Sequence, residues 1–535
     1  MKLSSLPPAP SLLADFDPEP GRYQELLDGN ADLRSHWSPL IEELARATPL
    51  QMRHRQKFVA RQIRENGISY NVYSEAKGLP RPWDLDLLPQ LLDAHEWRAL
   101  SSGIAQRAAL LNAVLGDLYG EQKLLSSGML PAELVFGHNN FLWPCQRMPV
   151  PGNTWLHVYA ADLARAPNGA WWVVADRTQA PSGAGYALEN RQIISRAFPE
   201  LYRELGVQPL EGFFQALQSC LQNLAPSAGS TPLSVLLTPG RFNETYFEHV
   251  YLARQLGVPL VEGQDLTVRD ASVYMKTLSG LQRVHAILRR MDDDYCDPLE
   301  LRGDSALGVP GLLEAARAGR VAIANALGSG VVESPGLLGF LPRICAALRG
   351  EALALPSVAT WWCGEEPVRR AALARLSTLV IKGAFPSQGF VPVDGSTLGD
   401  AALAELRERI EARPHAYVAQ EQVRLAQTPV WQKGTPNGRL AARAVSLRVY
   451  AVATPDGYAV MPGGLTRVAA KGGSSAVSMQ SGGGSKDTWV LADAPLPASG
   501  PPPRALTVHE IVRRDPYLPS RLVENLYWLG RYSER

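Results

Sequence analysis

Two aspartates end neighbouring segments of a predicted β-hairpin, where a pair of carboxylates could hold a metal ion. Asp162 ends the segment LHVYAADLA, Asp176 lies near the end of AWWVVADRT, and the turn between them contains Asn168 and Gly169. If Asp162 pairs with Val174, the two carboxylates are diagonal neighbours on one face, close enough to share a hard cation. A slip of one residue would place them on opposite faces. We expect the shared face.

A glycine-containing loop follows the hairpin. The string PSGAGYALENR places Ser182, Glu189, Asn190 and Arg191 where they could close over an anion. The alternative is a simple loop followed by a capped helix from Glu189 to about Leu205.

A second group of candidate residues lies in the C-terminal third. The string LSTLVIKGAFPSQGF is typical of a buried strand that ends at Lys382, followed by a loop with Ser387 and Gly389. A lysine in this place can put its ammonium group on a nucleotide phosphate, or it can simply reach solvent. We expect Lys382 to contact nucleotide phosphate, across a cleft from the two hairpin aspartates.

Two further strand regions carry polar residues. In YVAQEQV, the alternation of Gln420 and Glu421 with Val423 could read the edge of an adenine base, and a later hairpin carries Arg448 and Arg467. A glycine run before Lys486 does not have the spacing of a Walker loop.

The surrounding elements predict a mixed α/β enzyme. Helical periodicity dominates from about residue 35 to 130, and buried strands, helices and β-meanders follow from residue 155. A net charge of +1 over 535 residues gives no basic field, so we expect no nucleic-acid partner. Neither a membrane-length apolar run nor a signal peptide is visible, which favours the cytoplasm and no membrane partner. Five widely spaced cysteines argue against a disulfide framework or a zinc site.

The final residues, SRLVENLYWLGRYSER, predict an amphipathic helix after a proline-rich linker. Leu522, Leu526 and Leu529 recur at helical spacing, and a helix this short cannot bury them alone. We expect an exposed or loosely docked helix, the start of a further domain.

Long strings in the chain resemble a known family. TPGRFNETYFEHVYLARQLGVPLVEGQDLTVRD, LRRMDDDYCDPLELRGDSALGVPGLL and LPSVATWWCGE are similar to circularly permuted ATP-grasp proteins of type 2, relatives of glutathionylspermidine synthase. The tail LVENLYWLGRYSER is similar to the start of the helical α-E domain fused to this core in longer members. The resemblance implies a circularly permuted ATP-grasp fold with an N-terminal helical segment. It divides the chain into residues 1–120 (mostly helical), a core at 121–495, and the linker and first α-E helix at 496–535. Within the core, residues 121–365 would carry metal and substrate, and residues 366–495 would grip the nucleotide.

The resemblance also implies roles for single residues. Lys382 matches the lysine placed on ATP phosphates, with Ser387 and Gly389 in the loop beside it, and Gln420, Glu421 and Val423 match the strand that receives adenine. Asp162 and Asp176 correspond to positions that hold magnesium. Many relatives carry Glu-Asp-Asn where this chain has Ala175, Asp176 and Arg177, so Asn190, or else Glu189, is expected to complete the metal shell. Substrate recognition is assigned to Ser182, Arg191, Arg289 and Arg290, although Arg289 and Arg290 could equally form salt bridges to Asp292, Asp293 or Asp294.

The implied reaction is ATP-dependent ligation of a small-molecule or peptide carboxylate to an amine, with ATP and Mg²⁺ as cofactors. An acyl phosphate forms first, Arg448 or Arg467 steadies it, and the amine then displaces phosphate. Two alternatives stay open: a binding or scaffold protein that has lost turnover, which the Ala175 and Arg177 departures favour, and a small-molecule kinase.

Overall fold

The structure is a computed structural model that describes residues 12–13, 16–71, 81–137, 141–224, 232–385, 388–432, 439–470, 483–493 and 520–533. The first strands in chain order are β1 (Ser69–Tyr70), β2 (Arg81–Pro82), β3 (Gln90–Leu92), β4 (Val158–Arg165), β5 (Trp171–Arg177), β6 (Ser234–Leu237), β7 (Leu260–Val261), β8 (Leu266–Arg269), β9 (Ser272–Thr277), β10 (Gly280–Arg283) and β11 (Ala286–Arg289). They are followed by β12 (Ala322–Ala324), β13 (Thr360–Trp362), β14 (Leu379–Gly383), β15 (Val393–Asp394), β16 (Tyr417–Glu421), β17 (Gln427–Trp431), β18 (Leu440–Thr454), β19 (Gly457–Val460), β20 (Leu465–Val468) and β21 (Gly484–Val490).

Helices alternate with these strands over most of the described chain. The α-helices span Ser38–Arg46, Pro49–Glu65, Ala94–Leu118, Lys123–Ser126, Ala132–Phe136, Ala184–Ala197, Pro199–Glu204, Glu211–Leu224, Tyr246–Leu256, Leu312–Arg317, Leu341–Arg349, Glu366–Ala374, Asp400–Ala412 and Ser520–Ser533. Below, Ala94–Leu118 is the long helix, Ala184–Ala197 the cleft helix and Ser520–Ser533 the terminal helix. None of the helices in the described ranges is both long and apolar enough to cross a lipid bilayer.

An eight-stranded sheet organises the molecule. Its order is β3-β21-β20-β18-β4-β5, and β17 and β19 also pair with β18. A parallel sheet of β12-β11-β6-β7 and a four-stranded sheet of β13-β16-β14-β15 lie beside it, together with a three-stranded sheet (β8, β9, β10) and the β1-β2 pair. The predicted mixture of buried strands, helices and meanders is therefore present.

The eight-stranded sheet separates two apolar cores, because side chains alternate along each strand. In β4, Tyr159, Ala161 and Leu163 enter the core beneath the long helix. Val158 and Ala160 enter the core beneath the cleft helix. Asp162 has the same even-numbered spacing along β4 as Val158 and Ala160, so its side chain lies on the cleft-helix face.

The β4-β5 hairpin is confirmed, but the predicted register is wrong. The ladder pairs Leu163 with Val173, as the expected register requires, and then pairs Asp162 with Ala175 and Ala161 with Asp176. Val174 is the extra residue of a β-bulge, which shifts all later pairs by one. Asp176 therefore lies on the long-helix face, opposite to Asp162.

Other local predictions have mixed outcomes. The helix Tyr246–Leu256 ends at Gly257, which has a positive φ of 66°. The helix expected from Glu189 begins instead at Ala184, so the residues of the string ENR lie inside it and are buried.

The terminal helix is exposed, as predicted. None of its residues is buried, and Leu526 and Leu529 are 61% and 65% exposed. Arg521 holds it to the rest of the chain through an ion pair with Asp265 at 2.9 Å. The proline-rich linker before it lies outside the described residues, and the division at residues 120, 365 and 495 stays a prediction.

Candidate functional site

Three arginines surround the carboxylate of Asp162 on the cleft-helix face of the large sheet. Arg448 lies directly opposite Asp162 in the β18-β4 ladder, and Arg467 lies on β20, the next strand. Arg177 is two residues beyond Ala175, the partner of Asp162 on β5. Strand alternation thus brings all three side chains to one face. We call Asp162, Arg177, Arg448 and Arg467 the arginine cluster.

The bonds within the arginine cluster are short and numerous. Arg448 donates to both oxygens of Asp162, from Nε at 2.7 Å and from Nη2 at 3.0 Å. Arg467 donates from Nη2 at 2.6 Å, and Arg177 from Nε at 3.0 Å. Burial alone would raise the pKa of Asp162, but the three guanidinium groups outweigh burial and hold this pKa well below its usual range.

A loop of residues 178–183 forms the floor beside the cluster. Its Ser182 carbonyl accepts hydrogen bonds from Arg448 Nη1 and from the Tyr450 hydroxyl, both at 3.0 Å. Gly183 has a φ of +112°, and a Cβ there would come within 2.1 Å of the Tyr450 oxygen, so glycine is needed for the close approach. The amides of Gly183 and Gly185 donate to Glu248 at 2.7 and 2.9 Å. These amides are therefore not available for a bound anion, contrary to the expectation for this loop.

Lys382 and Gln420 lie on the neighbouring β13-β16-β14-β15 sheet. Lys382 lies near the end of β14, as predicted, and its Nζ donates to Gln420 Oε1 at 2.6 Å. Gln420 in turn donates to the Thr360 hydroxyl at 2.8 Å. Burial, and then the charge of Arg177, lower the pKa of Lys382 to about 8, while Asp162 partly offsets them. Lys382 is thus within electrostatic reach of the arginine cluster.

Three carboxylates, those of Glu244, Asp292 and Glu333, provide negative charge in the same cleft. Glu333 accepts hydrogen bonds from the amides of Thr178 at 2.6 Å and Gln179 at 2.8 Å. Burial and the neighbouring carboxylates of Asp293 and Glu333 raise the pKa of Asp292 to about 6. Cationic and anionic walls therefore face one space.

That space is a cleft of about 490 Å³. It is lined by Tyr70, Trp83, Arg177, Gln179, Ala180, Pro181, Ser182, Gly183, Tyr186, Glu244, Thr245, Asp292, Glu333, Arg448, Leu465 and Arg467. Its size and its few charged groups suit a small polar ligand or one end of a larger one.

Asp176 and Asn190 do not join Asp162 in a metal site. Asp176 is buried on the other face, where Arg107 binds both of its oxygens at 2.7 and 2.8 Å. Asn190 is fully buried inside the cleft helix and accepts a hydrogen bond from Trp83 at 2.9 Å. The shared metal site was predicted from the wrong register, and the amide lies in a helix that begins earlier than expected.

The predicted substrate residues separate into two groups. Ser182 lines the cleft, whereas Arg191 is buried against Asp487 at 3.0 Å. Arg289 is buried, with its guanidinium on the carbonyls of Met291, Asn325 and Ala326, and it lies 3.9 Å from Asp293. Arg290 binds the Pro181 carbonyl and Glu248. Neither Arg289 nor Arg290 lines the cleft, and both make buried contacts within the protein instead. The positions of Arg191, Arg289 and Arg290 therefore do not support the prediction that they contact substrate.

The residues that were predicted to bind the nucleotide lie in different surroundings. Gln420 contacts Lys382, while Glu421 pairs with Arg375 at 2.6 Å. Val423 is half-buried beside a small apolar cluster, and Gly389 has a positive φ of 63°. Ser387 lies outside the described residues. Adenine contact by Gln420, Glu421 and Val423 stays a prediction.

Sequence reasoning missed four charged residues of the cleft. Arg177 was noted only as a departure from relatives, and Asp292 only as a possible ion-pair partner. Glu244 and Glu333 were not considered. Alternation along β5 would have placed Arg177 correctly once the bulge was known, but no local pattern marks Glu333.

The residues fit the two expected cofactors differently. The three arginines line one cleft and Lys382 is electrostatically coupled to Arg177 and Asp162, so these four cations suit the phosphates of ATP. The proposed Mg²⁺ ligands do not fit, since Asp162, Asp176 and Asn190 lie in three separate environments. Across the residues that the structure describes, no group of three or more His, Cys, Asp or Glu side chains could hold a metal ion.

Comparisons with known proteins agree with this architecture. An uncharacterized protein of Mycobacterium tuberculosis (strain H37Rv) is 38% identical over 543 residues, which is 98% of this chain and 60% of the relative. The chain thus spans about 60% of the length of this mycobacterial relative. An uncharacterized protein of Synechocystis sp. (strain PCC 6803) is 38% identical over 474 residues, covering 88% of this chain and 98% of the relative.

A solved structure shares the fold. A glutathione synthetase-like effector from Globodera pallida, in its apo form, has a TM-score of 0.55 and 12% identity, over 84% of this chain and 99% of that chain. Residues 89–469 match the profile of the family described as circularly permuted ATP-grasp type 2. The predicted fold class is confirmed, and the chain belongs to the circularly permuted ATP-grasp type 2 family.

Proposed function

We propose that the chain is an ATP-dependent carboxylate–amine ligase, which joins an acid to an amine by way of an acyl phosphate. The observation that carries the proposal is the convergence of Arg177, Arg448 and Arg467 on one cleft, with Lys382 within their electrostatic reach. Membership of the ATP-grasp family supports the same class of reaction.

Each wall of the cleft has a task in this proposal. Lys382 would hold a nucleotide phosphate, and Arg448 and Arg467 would hold the carboxylate and then the acyl phosphate made from it. Asp292 and Glu333 would attract the protonated amine. Phosphoryl transfer depends mainly on position and on charge neutralisation, so no nucleophilic side chain is required.

The partners that follow are a small-molecule or peptide acid and an amine. A fused α-E-like helical domain is proposed as the partner of the terminal helix. The exposed leucines and aromatic residues of that helix support this second proposal.

The test is a coupled assay of ADP release from ATP and Mg²⁺ with pools of acids and amines, followed by mass spectrometry of the products. Release that requires both an acid and an amine is expected. Lys382→Ala should abolish it, and Lys57→Ala, at an exposed lysine of the helix Pro49–Glu65, is the matched control. Phosphorylation without an amine would identify a kinase instead.

One observation favours a second candidate, a binding protein without turnover. Asp162 is occupied by three arginines rather than open to a metal ion. Nucleotide binding without ADP release in any pool would support this candidate, and no nucleotide binding at all would contradict both.

A further inference from the structure

We propose that Arg177, Arg448 and Arg467 bind a phosphate-type anion directly and that no divalent cation occupies the carboxylate of Asp162. The inference rests on the proposed function only in taking this cleft as the ligand site. The fold family would suggest that a metal ion bridges the phosphate and Asp162. In this proposal the guanidinium groups contact the phosphate directly.

The first support is the number of hydrogen bonds that Asp162 accepts. Its Oδ1 accepts from Arg448 Nε and Arg467 Nη2, and its Oδ2 accepts from Arg448 Nη2 and Arg177 Nε. An ionised carboxylate has about four lone-pair sites, and these four bonds use them. A cation could coordinate Asp162 only by displacing a guanidinium group.

The second support is the charge of the cluster. Three arginines contribute three positive charges and Asp162 one negative charge, which leaves two net positive charges. Glu244, Asp292 and Glu333 also line the cleft, but the charges that act on Asp162 itself are those of the three arginines, so the field at this carboxylate favours an anion over a divalent cation. Lys382 lies in the same field, because the charge of Arg177 contributes to lowering its pKa.

The third support is a set of donors without acceptors. Arg467 Nε is buried and has no hydrogen-bond partner. Arg177 uses only Nε for Asp162, and within the described part of the chain its two terminal nitrogens make no hydrogen bond. Both residues line the cleft, and the side chain of Arg177 is 43% exposed. Free N–H groups beside a cleft are what a tetrahedral oxyanion needs.

The other residues that were expected to bind a metal ion supply no ligand atoms beside Asp162. Ala175 faces Asp162 across the ladder and brings no ligand atom, and Asp176 is held by Arg107 on the other face. The position two residues past Ala175 is itself an arginine. The hairpin therefore presents guanidinium groups where a metal shell would need oxygen atoms.

The test measures binding of inorganic tripolyphosphate by calorimetry, in EDTA and then in excess Mg²⁺, with the whole chain and no turnover. We expect binding in EDTA at least as tight as in Mg²⁺. Arg177→Gln should raise the Kd about tenfold. Arg370→Gln, at an exposed arginine paired with Glu366, is the matched control and should change nothing. Binding that disappears in EDTA and returns with Mg²⁺ would overturn the inference.

Mn²⁺ binding to designed variants gives a second, independent test. Mn²⁺ titration followed by electron paramagnetic resonance should give the same result for the wild type and for Asp162→Asn. The double variant Ala175→Glu with Arg177→Asn replaces a guanidinium by two oxygen-bearing groups on the Asp162 face, and it should gain a Mn²⁺ site. Loss of a wild-type Mn²⁺ site in Asp162→Asn would contradict the inference.

The outcomes separate this inference from the proposed function. Tripolyphosphate binding in EDTA without any amine-dependent ADP release supports direct anion binding and contradicts the ligase. Amine-dependent ADP release together with strictly Mg²⁺-dependent tripolyphosphate binding supports the ligase and contradicts direct anion binding.

Discussion

The two aspartates of the β4-β5 hairpin lie on neighbouring strands and both bind arginine, yet they have different surroundings. Asp176 is buried with Arg107, whose remaining donors reach the Ser357 hydroxyl at 2.9 Å and the Leu355 carbonyl at 3.4 Å. The Tyr159 hydroxyl completes this closed group with a hydrogen bond to Asp176 at 2.5 Å. Every nitrogen of Arg107 therefore has an acceptor, and the group is closed to a ligand because it is buried.

Asp162 is also largely buried, but its arginines keep unused donors beside a cleft. In the Asp176 group one arginine faces one carboxylate, so the charges balance. In the arginine cluster three arginines face one carboxylate, so positive charge is in excess. An arginine–carboxylate contact thus indicates a binding site only when donors and positive charge remain in excess.

The largest expected effect is on stability, at the closed pair. Arg107→Ala leaves the buried carboxylate of Asp176 without its cation, so the free energy of unfolding should fall by about 3–5 kcal/mol. Arg467→Ala leaves Asp162 with two other arginines and should cost only about 1 kcal/mol. Urea denaturation of both variants measures the difference, with Arg370→Ala as an exposed control. Equal losses at Arg107 and Arg467 would remove the distinction between the two groups.

The next effect concerns nucleotide affinity. Lys382→Ala removes a cation that is electrostatically coupled to Arg177 and Asp162 but leaves Gln420 bonded to Thr360, so the fold should persist. We expect about a tenfold rise in the Kd for ATP, or roughly 1.4 kcal/mol. Calorimetry on Lys382→Ala and Lys57→Ala provides the comparison, and an unchanged affinity would rule out phosphate contact by Lys382.

A smaller effect should appear with pH. The pKa of Lys382 is lowered to about 8, so the free protein loses this positive charge as the pH rises through 8. Anion affinity should therefore fall by up to about fourfold between pH 7 and pH 8.5, since only the charged form attracts phosphate. Lys382→Arg keeps its charge over this range, and its affinity should stay level. A wild type whose affinity does not change would show that Lys382 stays charged.

The smallest effect is expected at Ser182. Arg448 binds the carbonyl of Ser182 at 3.0 Å, and the hydroxyl is farther away at 3.4 Å. Because the backbone makes the better contact, Ser182→Ala should change tripolyphosphate affinity by less than about threefold, under 0.7 kcal/mol. A tenfold loss would instead assign ligand contact to the hydroxyl.

Strand patterns and glycine positions predicted much of the local structure. Alternating apolar residues and the Asn168–Gly169 turn predicted the hairpin, and the apolar run before Lys382 predicted the end of its strand. The bulge at Val174 was not predictable, because the extra residue is selected by packing on both faces of the sheet. Its effect on Asp176 was the main error at the site.

Long-range contacts explain the other misses. The helix was expected to begin at Glu189, after a glycine-containing loop, but Gly185 is packed closely against Glu248 and lies within the first turn of the cleft helix, which begins at Ala184. Glu333 reaches the cleft only through its bonds to Thr178 and Gln179, more than 150 residues away in sequence. Such contacts depend on the assembled fold rather than on a local pattern.

The loop of residues 178–183 is fixed at both ends before any ligand arrives. Glu333 holds the amides of Thr178 and Gln179, and Glu248 holds those of Gly183 and Gly185. The conformational entropy of this segment is therefore lost during folding and not during association. Encounter between an anion and the cleft should then be governed by electrostatic steering, so the association rate should fall as ionic strength rises, without a slow closing phase.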